Sequence, residues 1–215
     1  MTERLLLLVR HGRSDLGVTD MTETPRGKQW DPPLSEHGRD QASLLAKRLM
    51  LLDPRPVAVY SSPLRRARET AAAYAGPAGA TVALEDDLME ANIGAWEAMS
   101  FEDILATDDE LLLRLRQQRP IWSRAPGGER NPDFRERVVG VIERILGRHD
   151  SGDVLVVCHG GVINAYCAEL LGIPHEMFFL PENTSVNSIE VRAEGRSVRF
   201  LNDIVHLTDP HLFES

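Results

Sequence analysis

The stretch RLLLLVRHGRSD (residues 4–15) sets the terms of the fold. Leu5 to Val9 are five apolar residues in a row, a run of strand length suited to burial on both faces. The run ends on Arg10, His11 and Gly12: a cation, an imidazole and a residue without a Cβ. The arrangement returns in VLVVCHGGVI (residues 154–163), where an apolar run delivers His159 and Gly160. In an open α/β sheet ligands bind beyond the carboxyl ends of the strands, so both histidines are expected on one edge of the sheet. A glycine after each is expected to let the backbone turn and approach a ligand closely.

The rest of the chain alternates in the same way. After the strand at 4–9 comes helical spacing over 35–52 (Ala42, Leu45, Ala46, Leu49), with Ser35 as N-cap. A strand at 56–61 leads to a helix over 64–75, expected to end at Gly76-Pro77. A strand at 80–85 is followed by one acidic helix over 100–118 and a second helix over 131–149. The strand 153–158 leads to a helix over 161–172, and two strands, 184–193 and 196–204, close the pattern around Glu194-Gly195. Such alternation predicts an α/β fold with a mostly parallel central sheet, one domain over 1–205. Residues 17–33 read as a long irregular loop covering a site, and 206–215 as a poorly tied C-terminal tail.

Composition narrows the function. The 215 residues are 42% hydrophobic and 27% charged, the balance of a globular protein, and carry a formal net charge of −9. That charge argues against nucleic acid or an anionic membrane as partner. The apolar start is too short to span a bilayer and lacks a cleavage site, so neither signal peptide nor membrane helix is expected. Two cysteines, Cys158 and Cys167, without metal-type spacing point to a reducing, cytoplasmic setting.

An acidic chain still binds an anion where its cations converge. Arg10 joins His11 and His159, and SSPLRRARET (61–70) places Arg65, Arg66 and Arg68 where strand gives way to helix. On a helix the three cannot all face one way. After the third strand, LMEANIGAWEAMSFEDI (88–104) brings Glu90 and Glu97, carboxyls that could serve a leaving oxygen beside such a pocket.

Taken in order, Arg-His-Gly, Ser-Pro-Leu-x-Arg-Ala, Glu-x-x-x-Gly-x-Trp-Glu and His-Gly-Gly resemble the motifs of the histidine phosphatase superfamily, also called the phosphoglycerate mutase-like family. DPPLSEHGRDQA (31–42), PGGE (126–129) and NTSV (183–186) extend the likeness from Leu6 to about Val191. The resemblance implies a three-layer α/β/α sandwich and a phosphatase of small phosphorylated metabolites. It implies His11 as nucleophile through a phosphohistidine, Arg10, Arg66 and His159 as the phosphate pocket, and Glu90 as proton donor. Arg66 is chosen because the family's arginine directly precedes Ala, here Ala67; Arg65 and Arg68 keep a surface reading, and Glu97 a structural one. No metal or other cofactor is implied.

The chain also departs from the family pattern. Arg13, Ser14 and Gly17 stand where the family has Glu or Gln, Thr, and Asn. Ser14 keeps a hydroxyl for phosphate, Gly17 cannot supply the amide, and Arg13 favours a more anionic substrate. Ser14, Gly160, Arg13 and Arg26 are therefore further candidate substrate contacts, with Lys28 and Trp30 beside them. Two alternatives stay open: a mutase, which returns the phosphoryl group to a bound phosphoglycerate, and a phospho-ligand binding module. The short interval between the acidic motif and PGGE favours water as acceptor. Leu111 to Leu113 and the HLFES terminus are candidates for a homodimer face.

Overall fold

The computed structural model describes residues 4–108, 110–117, 121–174 and 177–213. The first strand, β1 (Arg4–Arg10), lies inside a six-stranded sheet. Its fellows are β4 (Ala58–Ser61), β5 (Val82–Leu84), β6 (Val154–Cys158), β7 (Val186–Arg192) and β8 (Gly195–Asp203), following a small separate hairpin of β2 (Met21–Thr24) and β3 (Gly27–Trp30). The sheet order is β5-β4-β6-β1-β7-β8. The first four run parallel, and β7 runs antiparallel to both its neighbours, β1 and β8.

Period-two alternation sorts the buried strands onto two faces. Leu6 and Leu8 of β1, with Val154 and Val156 of β6, pack against α5 (Asn131–Gly147) and α6 (Gly160–Leu171), meeting Val138, Ile142, Ile145 and Tyr166. Leu7, Val9, Leu155 and Val157 face α1 (Glu36–Met50) and α2 (Arg65–Ala78), meeting Leu45, Leu49, Ala67 and Tyr74. The result is the expected α/β/α sandwich with a mostly parallel sheet. Both cysteines are buried free thiols, and burial pushes Cys167 up to about 12. No helix among the described residues is long and apolar enough to cross a membrane.

Local rules explain most boundaries. Ser35 caps α1, its Oγ accepting from the Gly38 N–H at 3.0 Å. Four expectations need correction. The helix α2 passes through Gly76-Pro77 and stops only where Gly79 turns left-handed at φ 66°. The acidic helix over 100–118 is two short ones, α3 (Phe101–Ala106) and α4 (Glu110–Arg116), because Asp108 accepts the Glu110 N–H at 2.9 Å and starts a new helix; residues 109 and 118 lie outside the described set. Leu111 is fully buried rather than on a surface, leaving Leu112 and Leu113 exposed. The tail also begins packed. His206, in α7 (Val205–Thr208), is buried and bonded to Thr184 Oγ1 at 3.0 Å and Arg48 Nη1 at 3.3 Å; residues 214–215 lie outside the described set.

Candidate active site

Register brings the two corners together. β1 pairs with β6 so that Arg10 stands opposite Cys158, and the next residues, His11 and His159, leave the sheet at one level. The His11 N–H donates to the Cys158 carbonyl at 3.0 Å, and the two imidazole centroids lie 5.1 Å apart, edge to face. β4, on the other side of β6, ends beside them and delivers Ser62, whose Oγ is 2.8 Å from His159 Nε2. Three neighbouring strands thus present three polar groups in a row.

Each imidazole is held by one nitrogen. His11 Nδ1–H donates to the Gly12 carbonyl at 2.7 Å, so Nε2 keeps its lone pair, and Arg66 Nε donates toward it at 3.3 Å. His159 has the opposite nitrogen occupied, and its buried Nδ1 has no hydrogen-bond partner. Burial first, and then the cations Arg66 and Arg10, hold His11 well below the usual imidazole range. Burial and Arg66 do the same to His159, with His11 and Arg10 adding to it. Both rings are therefore neutral at pH 7.

The cations arrive from opposite sides. Arg66 is buried in the first turn of α2, its Nη1 fixed on the Trp30 carbonyl at 3.0 Å. Arg10 spends Nη1 on the Pro181 carbonyl and leaves Nε buried and unpartnered. Burial lowers both guanidinium pKa values, and Glu90 opposes that shift in each; both remain cations. The Glu90 carboxylate accepts the Ala91 N–H at 3.0 Å and the Gly161 N–H at 2.9 Å, the latter at the N-terminal turn of α6. A Cβ on Gly161 would lie 2.2 Å from Glu90 Oε1, so glycine there lets the carboxylate reach the helix end.

Gly12 does something else. A Cβ there would sit 2.5 Å from the Gly38 carbonyl oxygen, and one on Gly38 would sit 2.1 Å from the Arg13 carbonyl oxygen. The first glycine of the Arg-His-Gly corner thus serves the close passage of α1, not approach to a ligand. In the second corner it is Gly161, one residue beyond the expected Gly160, that makes the tight contact.

A cleft of about 540 Å³ opens over these groups, bordered by Arg10, His11, Arg13, Ser14, Arg66, Glu90 and Gly160 among others. Arg26 is not brought there: it pairs with Asp87 and Glu129 and donates to the Asp86 carbonyl. Lys28 is exposed beside Glu23, Arg65 pairs with Asp20, and Arg68 is exposed. Glu97 has a structural place, its two oxygens accepting the N–H groups of Trp30 and Ile93, and burial raises its pKa. The segment expected as an irregular loop is the β2–β3 hairpin, clamped by Glu97, with Trp30 and Gln29 on the cleft.

Several residues escaped the sequence reading. Ser62 holds His159, Gln29 borders the cleft with a buried unpartnered Oε1, and Asn183 Nδ2 donates to the His11 carbonyl at 2.9 Å. NTSV and SSPLRR were legible as motifs, but nothing local distinguishes which hydroxyl or amide turns inward. Gly17 points elsewhere, its N–H donating to Asp15 Oδ1, while Leu16 borders the cleft. Among the described residues no group of three or more His, Cys, Asp or Glu is placed to hold a metal ion.

Comparison with known proteins agrees with this geometry. The chain is 34% identical over 210 residues to phosphoserine phosphatase 1 of Hydrogenobacter thermophilus, covering 94% of this chain and 93% of that protein. It is 32% identical over 182 residues to glucosyl-3-phosphoglycerate phosphatase of Mycolicibacterium vanbaalenii, covering 81% and 77%. The solved structure of Bacillus stearothermophilus YhfR superposes with a TM-score of 0.81 at 29% identity, over 94% of this chain and 98% of that one. The model of the histidine phosphatase superfamily, branch 1, matches residues 6–204. With that match spanning nearly the whole sandwich and phosphatases among the relatives, the chain belongs to branch 1 of the histidine phosphatase superfamily and is a phosphoric monoester hydrolase.

Proposed function

We propose that this phosphatase transfers the phosphoryl group of a small phosphomonoester to His11 Nε2 and then to water, without a metal ion. The observation that carries the reading is the His11 tautomer. With Nδ1–H committed to the Gly12 carbonyl and the ring neutral, Nε2 is an unprotonated nucleophile at the floor of the cleft. In the first step its lone pair attacks phosphorus and the P–O ester bond breaks. Glu90, entering as the carboxylic acid, gives the leaving oxygen a proton. In the second step the Glu90 carboxylate takes a proton from water. That water attacks phosphorus, the N–P bond breaks, and inorganic phosphate leaves.

Arg10, Arg66 and His159 stabilise the charge on the phosphoryl oxygens. Support comes from Arg10 Nε and His159 Nδ1, buried polar atoms without partners that flank the His11 corner; the oxygens of a phosphoryl group are suited to satisfy them. The Ser14 hydroxyl and the N-terminal turn of α6 at Gly160 add contacts. Between Glu97 and Pro126 the described residues form only short helices, which supports access of water over the enclosure a mutase needs. The test is hydrolysis of a generic phosphomonoester in excess chelator. Undiminished release of phosphate, abolished in His11→Ala, is expected. Activity that returns only on adding a divalent ion would overturn the metal-free reading. Interconversion of 2- and 3-phosphoglycerate outpacing phosphate release would overturn hydrolysis.

A further inference from the structure

Outside its floor the cleft changes character. Its wall includes Leu16, Trp30, Ile93, Trp122, Phe134 and Leu180. Leu180 and Leu16, 74% and 68% exposed, are the two most exposed large apolar residues among those described, and both border this one cleft. Among the described residues, the charged groups on the cleft beyond Arg10 and Arg66 are Arg13, at an exposed position, and the carboxylates Glu90 and Glu97. Glu97 has both oxygens committed to backbone N–H groups, and Glu90 is held by two more. Among the described residues, a leaving group carrying a carboxylate would find a single guanidinium at the rim. An ammonium would find only carboxylates that already accept backbone N–H groups.

Building on the phosphatase reading, we infer that the preferred substrates are phosphomonoesters of uncharged, largely apolar alcohols rather than of charged acids or amino acids. A volume of about 540 Å³ is in the range of sites that enclose a whole small molecule, so the alcohol has room beside the phosphoryl group. The gain is desolvation. Each methylene that moves from water onto the Trp30–Trp122–Leu16 wall strengthens binding about three- to fourfold.

A chain-length series tests this without changing the chemistry. Ethyl, butyl and hexyl phosphate have leaving groups of equal basicity, so kcat/KM reports the fit of the alcohol. It is expected to climb with length, with hexyl phosphate at least about tenfold above both ethyl phosphate and phosphoserine. Leu16→Asn and Leu180→Asn, at exposed positions that tolerate a polar side chain, are expected to shrink the hexyl-to-ethyl ratio about threefold or more. A flat or falling series with ethyl phosphate still hydrolysed would overturn the inference and leave the phosphatase reading intact. So would phosphoserine or 3-phosphoglycerate outpacing hexyl phosphate. Failure to hydrolyse every ester would overturn both.

Discussion

The two corners, His11-Gly12 and His159-Gly160-Gly161, share a pattern and divide the labour. At the first, the imidazole is pinned through Nδ1 by its own neighbour's carbonyl, and Nε2 keeps its lone pair, facing Arg66 Nε at 3.3 Å. At the second, the ring is pinned through Nε2 by Ser62, and Nδ1 is left without a partner. The glycines diverge as well: Gly12 makes room for the backbone of α1, Gly161 for the Glu90 carboxylate. Under the proposed mechanism, one residue pattern at two strand ends serves as nucleophile on one side and as a charge-stabilising group with its acid on the other. What separates them is the partner each nitrogen meets.

Substitutions at the two corners should differ accordingly. His11→Ala should remove turnover of any phosphomonoester, a loss of roughly 10⁴-fold or more in kcat, since no other group forms the bond to phosphorus. His159→Ala should keep measurable turnover at a cost of about 10²–10³-fold, the scale of one lost charge-stabilising donor. Equal losses at the two positions would erase the distinction. Gly161→Ala drives its Cβ into Glu90, and a misplacement of that order should cost up to about 10²-fold in kcat, in a protein of nearly wild-type denaturation midpoint. Gly12→Ala should act the other way round, through overpacking against Gly38, with a stability loss of about 1–3 kcal/mol in denaturant titration.

The smallest effect is on pH dependence. His11, His159 and His206 have folded-state pKa values below that of a free imidazole, His206 at about 4. Below the unfolded value of about 6.5 the unfolded chain binds more protons than the folded one. Their contribution is thus fully present above pH 6.5 and is lost as pH falls beneath it. Thermal midpoints measured from pH 8 to 5 should be level at first and begin to fall near 6.5, above the carboxylate range. The same depression keeps His11 unprotonated, so NMR titration of its imidazole should show no midpoint near 6.5; a midpoint there would mean the ring titrates freely.

Much of this was written in the chain. Unbroken apolar runs such as Leu5 to Val9 and Val154 to Val157 mark buried parallel strands, since both faces must be dry, and a polar residue at the end of such a run has only one edge to occupy. Arg10, His11, Arg66, Glu90 and His159 stand in recognisable motifs, and the fold brings the first four to one cleft with His159 buried beside His11. The hairpin Met21–Trp30 was not legible because its short strands are mostly polar and lack alternation. The end of α2 was misplaced because Gly76 and Pro77 are tolerated in a last turn while Gly79 supplies the left-handed stop. The placement of Arg26 depended on Asp87 and Glu129, both far off in sequence. Side-chain pairings of this long range have no local signature.

The central claim is that His11, and not His159, carries the phosphoryl group. The most direct measurement is rapid quenching of enzyme with a phosphomonoester into alkali, followed by peptide mapping by mass spectrometry. The account predicts one acid-labile, alkali-stable phosphoryl group on His11 Nε2, formed and consumed at the rate of turnover and absent from His11→Ala. A phosphoryl group on His159, or full hydrolysis with no covalent intermediate, would contradict it.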